Sequence, residues 1–305
     1  MYSGMVISAF SPAHITGFFE IIITKDNLME SGSRGAGFSI SLGVETKVSI
    51  KENNNHGFVI FLNGCRMEEL PVSEYVIKKF QEISGNKYFF TVEHVVNVPV
   101  GSGFGTSGAG ALSLSLALNE ALTAGLSRTA VVGIAHEAEI FCKTGLGAVV
   151  AENQGGLEVR IKPGSLSFGL IKKLNIEDNY SVVALHYGPL PTSLILNDPK
   201  SLGRINGIGG KFVSSLLSNP SVEEFMKLSR IFSDYCGFMT EKISCVIQDV
   251  DCHGFTSSMA MFGETIFSVV KKNESSEIVN IFKKHTSQDD RIIITEMDQI
   301  GARLI

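Results

Sequence analysis

Residues 99–110 read PVGSGFGTSGAG, with glycine at 101, 103, 105, 108 and 110, between the apolar run KYFFTVEHVVNVPV and the Ala- and Leu-rich stretch SGAGALSLSLALNEALTAG. A strand, a bare turn and a buried helix in that order leave free backbone N–H groups at a helix N-terminus, where the helix dipole favours negative charge. A phosphate is the natural guest of such a turn. Its surroundings narrow which phosphate. Gly103, Gly105 and Gly108 match the spacing of a dinucleotide fingerprint, but that motif needs a second strand after the helix, ending in an acid. Here helix follows helix, and Glu120 lies within the first. A Walker A loop needs Gly-Lys-Ser/Thr, and no lysine occurs between Lys87 and Lys143. The protein-kinase signatures H-R-D and D-F-G are also missing. Read alone, the loop also admits a plain packing turn with no ligand.

The rest of the chain sets the frame for that loop. GFSISLGVETKVSI, GFVIFLNG and KYFFTVEHVVNVPV read as strands, with a helix over 73–84 between the last two. A helix is expected after the loop with Gly125 as its stop, and a second helix over 128–142. GGLEVRIKPG, FGLIKKLNI and YSVVALHYG return to strand. PTSLILNDPKSLGRINGIGGKFVSSLL and SVEEFMKLSRIFSDYCGFM read as helix, and TIFSVVKK, IVNIFKKH and RIIITEMD as an alternating finish. A chain of 305 residues that is 44% hydrophobic is near the length at which one core becomes two lobes. The expected class is therefore α+β, with two interlocked lobes divided near residue 180.

Charge and cysteine usage exclude several partners. The net charge is −5 and no Lys/Arg cluster exceeds a pair, so the footprint of a nucleic-acid or membrane-surface binder is missing and a small-molecule partner is expected. The start, MYSGMVISAF, has no basic segment ahead of its apolar residues, and no apolar run is long enough to span a membrane, which points to a cytoplasmic protein. Five cysteines without a C-x-x-C pair read as reduced thiols. DVDCHG, with Asp249, Asp251, Cys252 and His253, lacks a second ligand cluster and reads as a loop, not a metal site.

PVGSGFGTSGAG resembles the P-x-x-x-G-L-G-S-S-x-A loop of the GHMP small-molecule kinases, which include galactokinase, homoserine kinase and mevalonate kinase. SPAHITGFF, GSRGAGFSISLGVET, AHEAEIFCKTGLG, GGLEVR, PTSLILNDPKSLGRING and SMAMFGETIF resemble, in order, the archaeal pantoate kinase branch of that family. The resemblance covers essentially the whole chain. It implies an N-terminal ATP-binding lobe over residues 1–180 with a ribosomal-protein-like β-α-β arrangement, a ferredoxin-like C-terminal lobe over 181–305, and a cleft between them. It implies ATP and Mg²⁺ as cofactors, with Pro99, Gly101, Ser102, Gly103, Gly105, Thr106, Ser107 and Gly108 around the ATP phosphates. The Ser107 hydroxyl and the Glu139 carboxylate fall where the family places Mg²⁺ ligands, a donor set that suits a hard cation. Ser33, Arg34 and Arg160 match positions for an acidic substrate, since a guanidinium pairs two-pronged with carboxylate or phosphate. His14 is a further substrate-pocket residue. Ser107, Glu139 and Arg160 form the implied catalytic set. Without the resemblance, each arginine reads as a solvated surface charge and His14 as a structural histidine.

One departure stands out. Where the resembling enzymes read T-G-L-G-D, with the Asp taken as the base for the acceptor hydroxyl, this chain reads TGLGA and places Ala148 there. A methyl group accepts no proton. Phosphoryl transfer passes through a loose transition state and depends mostly on positioning and charge, so a kinase without a formal base is one reading: ATP-dependent phosphorylation of pantoate to 4-phosphopantoate, a step of coenzyme A biosynthesis. A pocket that has lost a carboxylate also favours a more anionic acceptor, and mevalonate 3-phosphate in a divergent archaeal isoprenoid route is the alternative. A non-catalytic nucleotide-binding regulator is the third reading. Glu152, one helical turn beyond Ala148, is placed to replace the missing carboxylate. A homodimer is left open. The charge content does not resemble ion-pair-rich hyperthermophile proteins and suits an archaeon of moderate temperature.

Overall fold

The computed structural model describes residues 6–24, 26–52, 57–190, 199–288 and 290–305. Two long antiparallel strands, β1 (Val6–Ile22) and β2 (Gly32–Glu52), form the spine of an eight-stranded sheet. The free edge of β2 is shared. Its second half pairs with β5 (Tyr88–Val96) and its first half with β6 (Leu157–Lys162). Asn97 and Gly156 hydrogen bond to β2 between the two, at Gly43 and Ser39. The chain that builds the site leaves and rejoins the sheet at this gap.

β3 (Gly57–Leu62) pairs parallel with β5 across α1 (Pro71–Ser84), giving the β-α-β unit, with β4 (Cys65–Met67) beside β3 and β7 (Leu170–Lys173) beside β6. The buried face of α1 is Val72, Val76, Ile77 and Phe80, the spacing of one helical stripe. By contrast α2 (Thr106–Ala121) buries every residue from Gly108 to Leu118, which explains its lack of amphipathic periodicity. Its buried Ser113 and Ser115 hydroxyls bond back to the Ala109 and Ala111 carbonyls, both at 2.8 Å, so neither is left unsatisfied. Around α2 pack α1, α3 (Arg128–Cys142) and α4 (Ala148–Gln154). Ser127 caps α3 by accepting from Ala130 N–H. α2 ends four residues ahead of Gly125, the expected stop.

The second sheet is antiparallel, in the order β11 (Arg291–Glu296), β8 (Tyr180–Pro189), β10 (Gly263–Lys271), β9 (Ser258–Met259). It carries α5 (Pro199–Ser218), α6 (Val222–Cys236), α7 (Glu241–Cys252) and α8 (Ser275–Lys283). The helix expected from residue 191 is seen from Pro199; residues 191–198 lie outside the described residues. DVDCHG is not a loop. Asp249 to Cys252 form the last turn of α7, where Val250 and Ile247 reach the core.

β8 opens the second sheet at residue 180, yet the last strand, β12 (Arg303–Leu304), returns to pair with β1. The main hydrophobic core also crosses the boundary: Phe38 of β2 meets Phe225 of α6 and Phe267 of β10 edge-on, at 5.7 and 5.6 Å between ring centroids. Burial of these rings, each worth roughly 2–3 kcal/mol, ties the two halves together. Among the described residues no helix is long and apolar enough to cross a membrane.

Candidate active site

The glycine loop and the two sheets enclose a cleft of about 500 Å³. Gly101, Gly103 and Gly105 have φ of +73°, +84° and +63°, a region that favours glycine. The consequence lies in the direction of the backbone groups. The carbonyl of Gly101 accepts from Leu190 N–H, that of Ser102 from the Thr265 hydroxyl and that of Phe104 from His14 N–H. No backbone N–H from Gly101 to Gly108 donates to a described residue. The loop thus turns most of its acceptors into the protein and leaves its donors, up to the first turn of α2, without an acceptor among the described residues. Gly101, Ser102, Gly103, Gly105, Thr106 and Ser107 line the cleft. Pro99 and Gly108 do not: Pro99 leads into the loop, and Gly108 faces α4, where a Cβ would lie 2.9 Å from Glu152 Oε2.

Ser107 and Glu139 come together as the sequence implied. The Ser107 hydroxyl donates to Glu139 Oε1 at 2.5 Å, and Thr144, which sequence reasoning did not single out, donates to the same oxygen at 2.6 Å. Glu139 is buried on α3 yet lines the cleft. Burial pushes its carboxyl above the usual range, opposed by the two hydroxyl donors. A Cβ at Gly145 would fall on Glu139 Oε2, which accounts for the first glycine of TGLGA. Among the described residues no group of three or more His, Cys, Asp or Glu is gathered for a metal.

The arginine of the cleft stands on β6. Arg160 and Glu158, two apart on one strand face, lie opposite Gly35 and Gly37 of β2. The room that Gly37 leaves is filled by the His14 ring. Arg160 Nη1 donates to Glu158 Oε1 at 2.6 Å, and His14 Nε2 donates to the same oxygen at 3.0 Å. His14 Nδ1 faces the Thr16 hydroxyl at 3.3 Å. Burial dominates at His14 and lowers its pKa despite Glu158, which favours the neutral ring. Glu158 thus orients an arginine and a histidine that both line the cleft, beside Ser33 and Ala148.

Arg34 is placed otherwise. Strand alternation turns it away from Ser33, and its guanidinium pairs with Glu20 Oε2 at 3.1 Å and the Ile161 carbonyl at 2.9 Å, outside the cleft. Glu152 also stays out of the cleft. It is fully buried behind Ala148, with neither carboxyl oxygen hydrogen bonded. Burial and nearby Glu139 hold its carboxyl well above the usual range. Beside the loop, a second, apolar pocket of about 230 Å³ is lined by Leu62, Leu70, Val72 and Val96, and shares Val100, Thr106, Ser107 and Thr144 with the cleft.

With this geometry in place, comparison with known proteins is specific. Residues 71–156 match the family described as GHMP kinases N terminal domain. The chain is 34% identical over 277 residues to the pantoate kinase of Methanocaldococcus jannaschii, covering 90% of this chain and 96% of that protein. It is 34% identical over 309 residues to the pantoate kinase of Thermococcus kodakarensis, covering 97% and 99%. A solved structure described as a phosphotransferase related to the CoA biosynthesis pathway superposes with a TM-score of 0.89 at 31% identity, over 98% of both chains.

Proposed function

This chain belongs to the GHMP kinase family, in its pantoate kinase branch, and from that premise we propose that it phosphorylates pantoate with ATP in the cleft described above. The single observation that carries the reading to these residues is the polarity of the glycine loop: the carbonyls of Gly101, Ser102, Phe104 and Gly105 are engaged, while no N–H group from Gly101 to Gly108 has an acceptor among the described residues. Such donors cost no reorganisation when charge develops on a transferring phosphoryl group. The adjoining apolar pocket, closed by Leu62, Leu70 and Val96, suits the purine.

Mg²⁺ fits the residues present. The Ser107 hydroxyl and Glu139 carboxylate would hold it, hard oxygen donors few enough to leave positions for water and phosphate. Bound there, the ion would offset phosphate charge. The chain does the rest. Arg160, steadied by Glu158, pairs with the acceptor carboxylate, with Ser33 and His14 beside it. Phe19, Met261 and Phe262 offer an apolar wall to the dimethyl carbon. Ala148 accepts no proton, so the acceptor hydroxyl is positioned rather than deprotonated, and its proton leaves late, to a phosphoryl oxygen.

A coupled ADP-release assay against pantoate, mevalonate, mevalonate 3-phosphate and homoserine tests this. Turnover with pantoate well above the other three is expected. Release with mevalonate 3-phosphate and not with pantoate would sink the reading.

A further inference from the structure

The glycine loop is held from a direction its own sequence does not reveal. Ser102 is buried where the second sheet meets the loop. Thr265 on β10 donates to the Ser102 carbonyl at 2.9 Å, which uses its only hydroxyl hydrogen. Its 3.1 Å contact with Nδ1 of His186, on β8, is therefore one in which the threonine accepts. Nδ1 must then carry the imidazole proton, an assignment made from the network. Nε2, left without a proton, lies 3.3 Å from Ser102 Oγ, whose single hydrogen is shared between this nitrogen and the Val100 carbonyl at 3.2 Å. Burial, aided by Arg291 on β11, keeps His186 below its ordinary pKa; Asp290 and Glu264 face it with the opposite effect.

The surrounding backbone is shaped to this contact. Gly263 closes on Ser102 so tightly that a Cβ would collide with the Ser102 carbonyl. The residue before it, Phe262, has φ of +66°, a strained conformation for a bulky side chain. A register slip between Glu264 and Thr265 sets Thr265 opposite His186. The side chains concerned, Ser102, Thr265 and His186, thus form one chain of hydrogen bonds from β8 through β10 to the loop.

We propose that His186 and Thr265 are positioning residues for phosphoryl transfer, fixing the glycine loop through Ser102 so that nucleotide affinity is set in part by the C-terminal sheet. The proposal rests on the reading that this loop holds the ATP phosphates.

Binding of a non-hydrolysable ATP analogue by calorimetry, with steady-state kinetics and far-UV circular dichroism as a fold check, tests it. His186→Ala and the near-isosteric Thr265→Val are each expected to weaken nucleotide binding about fivefold, the effect of roughly one net hydrogen bond. KM for ATP should rise with KM for pantoate unchanged, a split that loss of folded enzyme would not produce. His186→Gln, which returns a polar group near the Nε2 position, should recover most of the affinity. Nucleotide binding in folded His186→Ala and Thr265→Val within twofold of the parent overturns the proposal, as does His186→Gln no better than His186→Ala. A parent that binds no nucleotide would instead overturn the loop reading itself, and this proposal with it.

Discussion

Gly108 separates two explanations for the glycines of the loop. Its φ is not positive, and it sits in the first turn of a helix, so alanine there should gain roughly 1 kcal/mol of helix propensity. The structure argues the opposite outcome. An alanine Cβ would lie 2.9 Å from Glu152 Oε2 and 3.2 Å from Val149 Cγ2, and Glu152 is fully buried between α2 and α4 with little room to retreat. Overpacking of this kind costs about 1–3 kcal/mol, so Gly108→Ala should be destabilising by a net ~1 kcal/mol. Adding Glu152→Ala removes the obstructing carboxyl and should restore the helix gain, giving a coupling of about 1 kcal/mol or more in a double-mutant cycle. The chain has no tryptophan, so urea unfolding is best followed by far-UV circular dichroism. A Gly108→Ala protein as stable as the parent, or additive effects in the cycle, would refute the claim that this glycine makes room for Glu152.

Ser107→Ala and Glu139→Gln should each lower kcat by roughly 10²-fold, as groups beside the transferring phosphate; near-normal turnover in both would remove them from the site. Arg160→Ala should raise KM for pantoate far more than KM for ATP, while Arg34→Ala, paired with Glu20 outside the cleft, should leave both nearly unchanged; equal effects would mean the cleft is misread. Glu152 is held well above its ordinary pKa of 4.5, so the folded protein keeps a proton that the unfolded chain releases. Its stabilising effect is complete below pH 4.5 and is lost as pH rises toward the folded value, so the stability of Glu152→Gln relative to the parent should grow with pH across that window; a constant difference would contradict the buried, unpartnered carboxyl. Ala148→Asp should leave pantoate turnover equal or raise it by up to ~10²-fold through general-base help, and a fall would show that the missing carboxylate was not a vacancy.

Much of this site was legible in the sequence because its parts are local. A glycine run between a strand and an apolar helix leaves few conformations, and Ser107 and Glu139 lie on helices whose starts were readable. What escaped needed three dimensions. Arg34 and Arg160 look alike as letters, and only strand register turns one outward to Glu20 and leaves the other in the cleft. Glu158 gave no signal, since two residues from Arg160 on a strand it reads as an ordinary surface pair, and only the fold brings the His14 ring, seated in the space that Gly37 leaves, onto its buried carboxylate. α7 was missed over DVDCHG because its polar letters looked like a turn, while Ile247 and Val250 supply the buried face. Glu152 was noticed as a helix-face neighbour of Ala148, but its burial against Gly105 and Gly108 could not be read from spacing.

Proton-coupled phosphorus NMR of the product formed from ATP and pantoate tests the central claim most directly. The account predicts a phosphomonoester signal split into a triplet by the two protons of the primary carbon, appearing in step with ADP. A doublet, from phosphate on the carbon next to the carboxylate, or ADP without any new phosphomonoester, would contradict it.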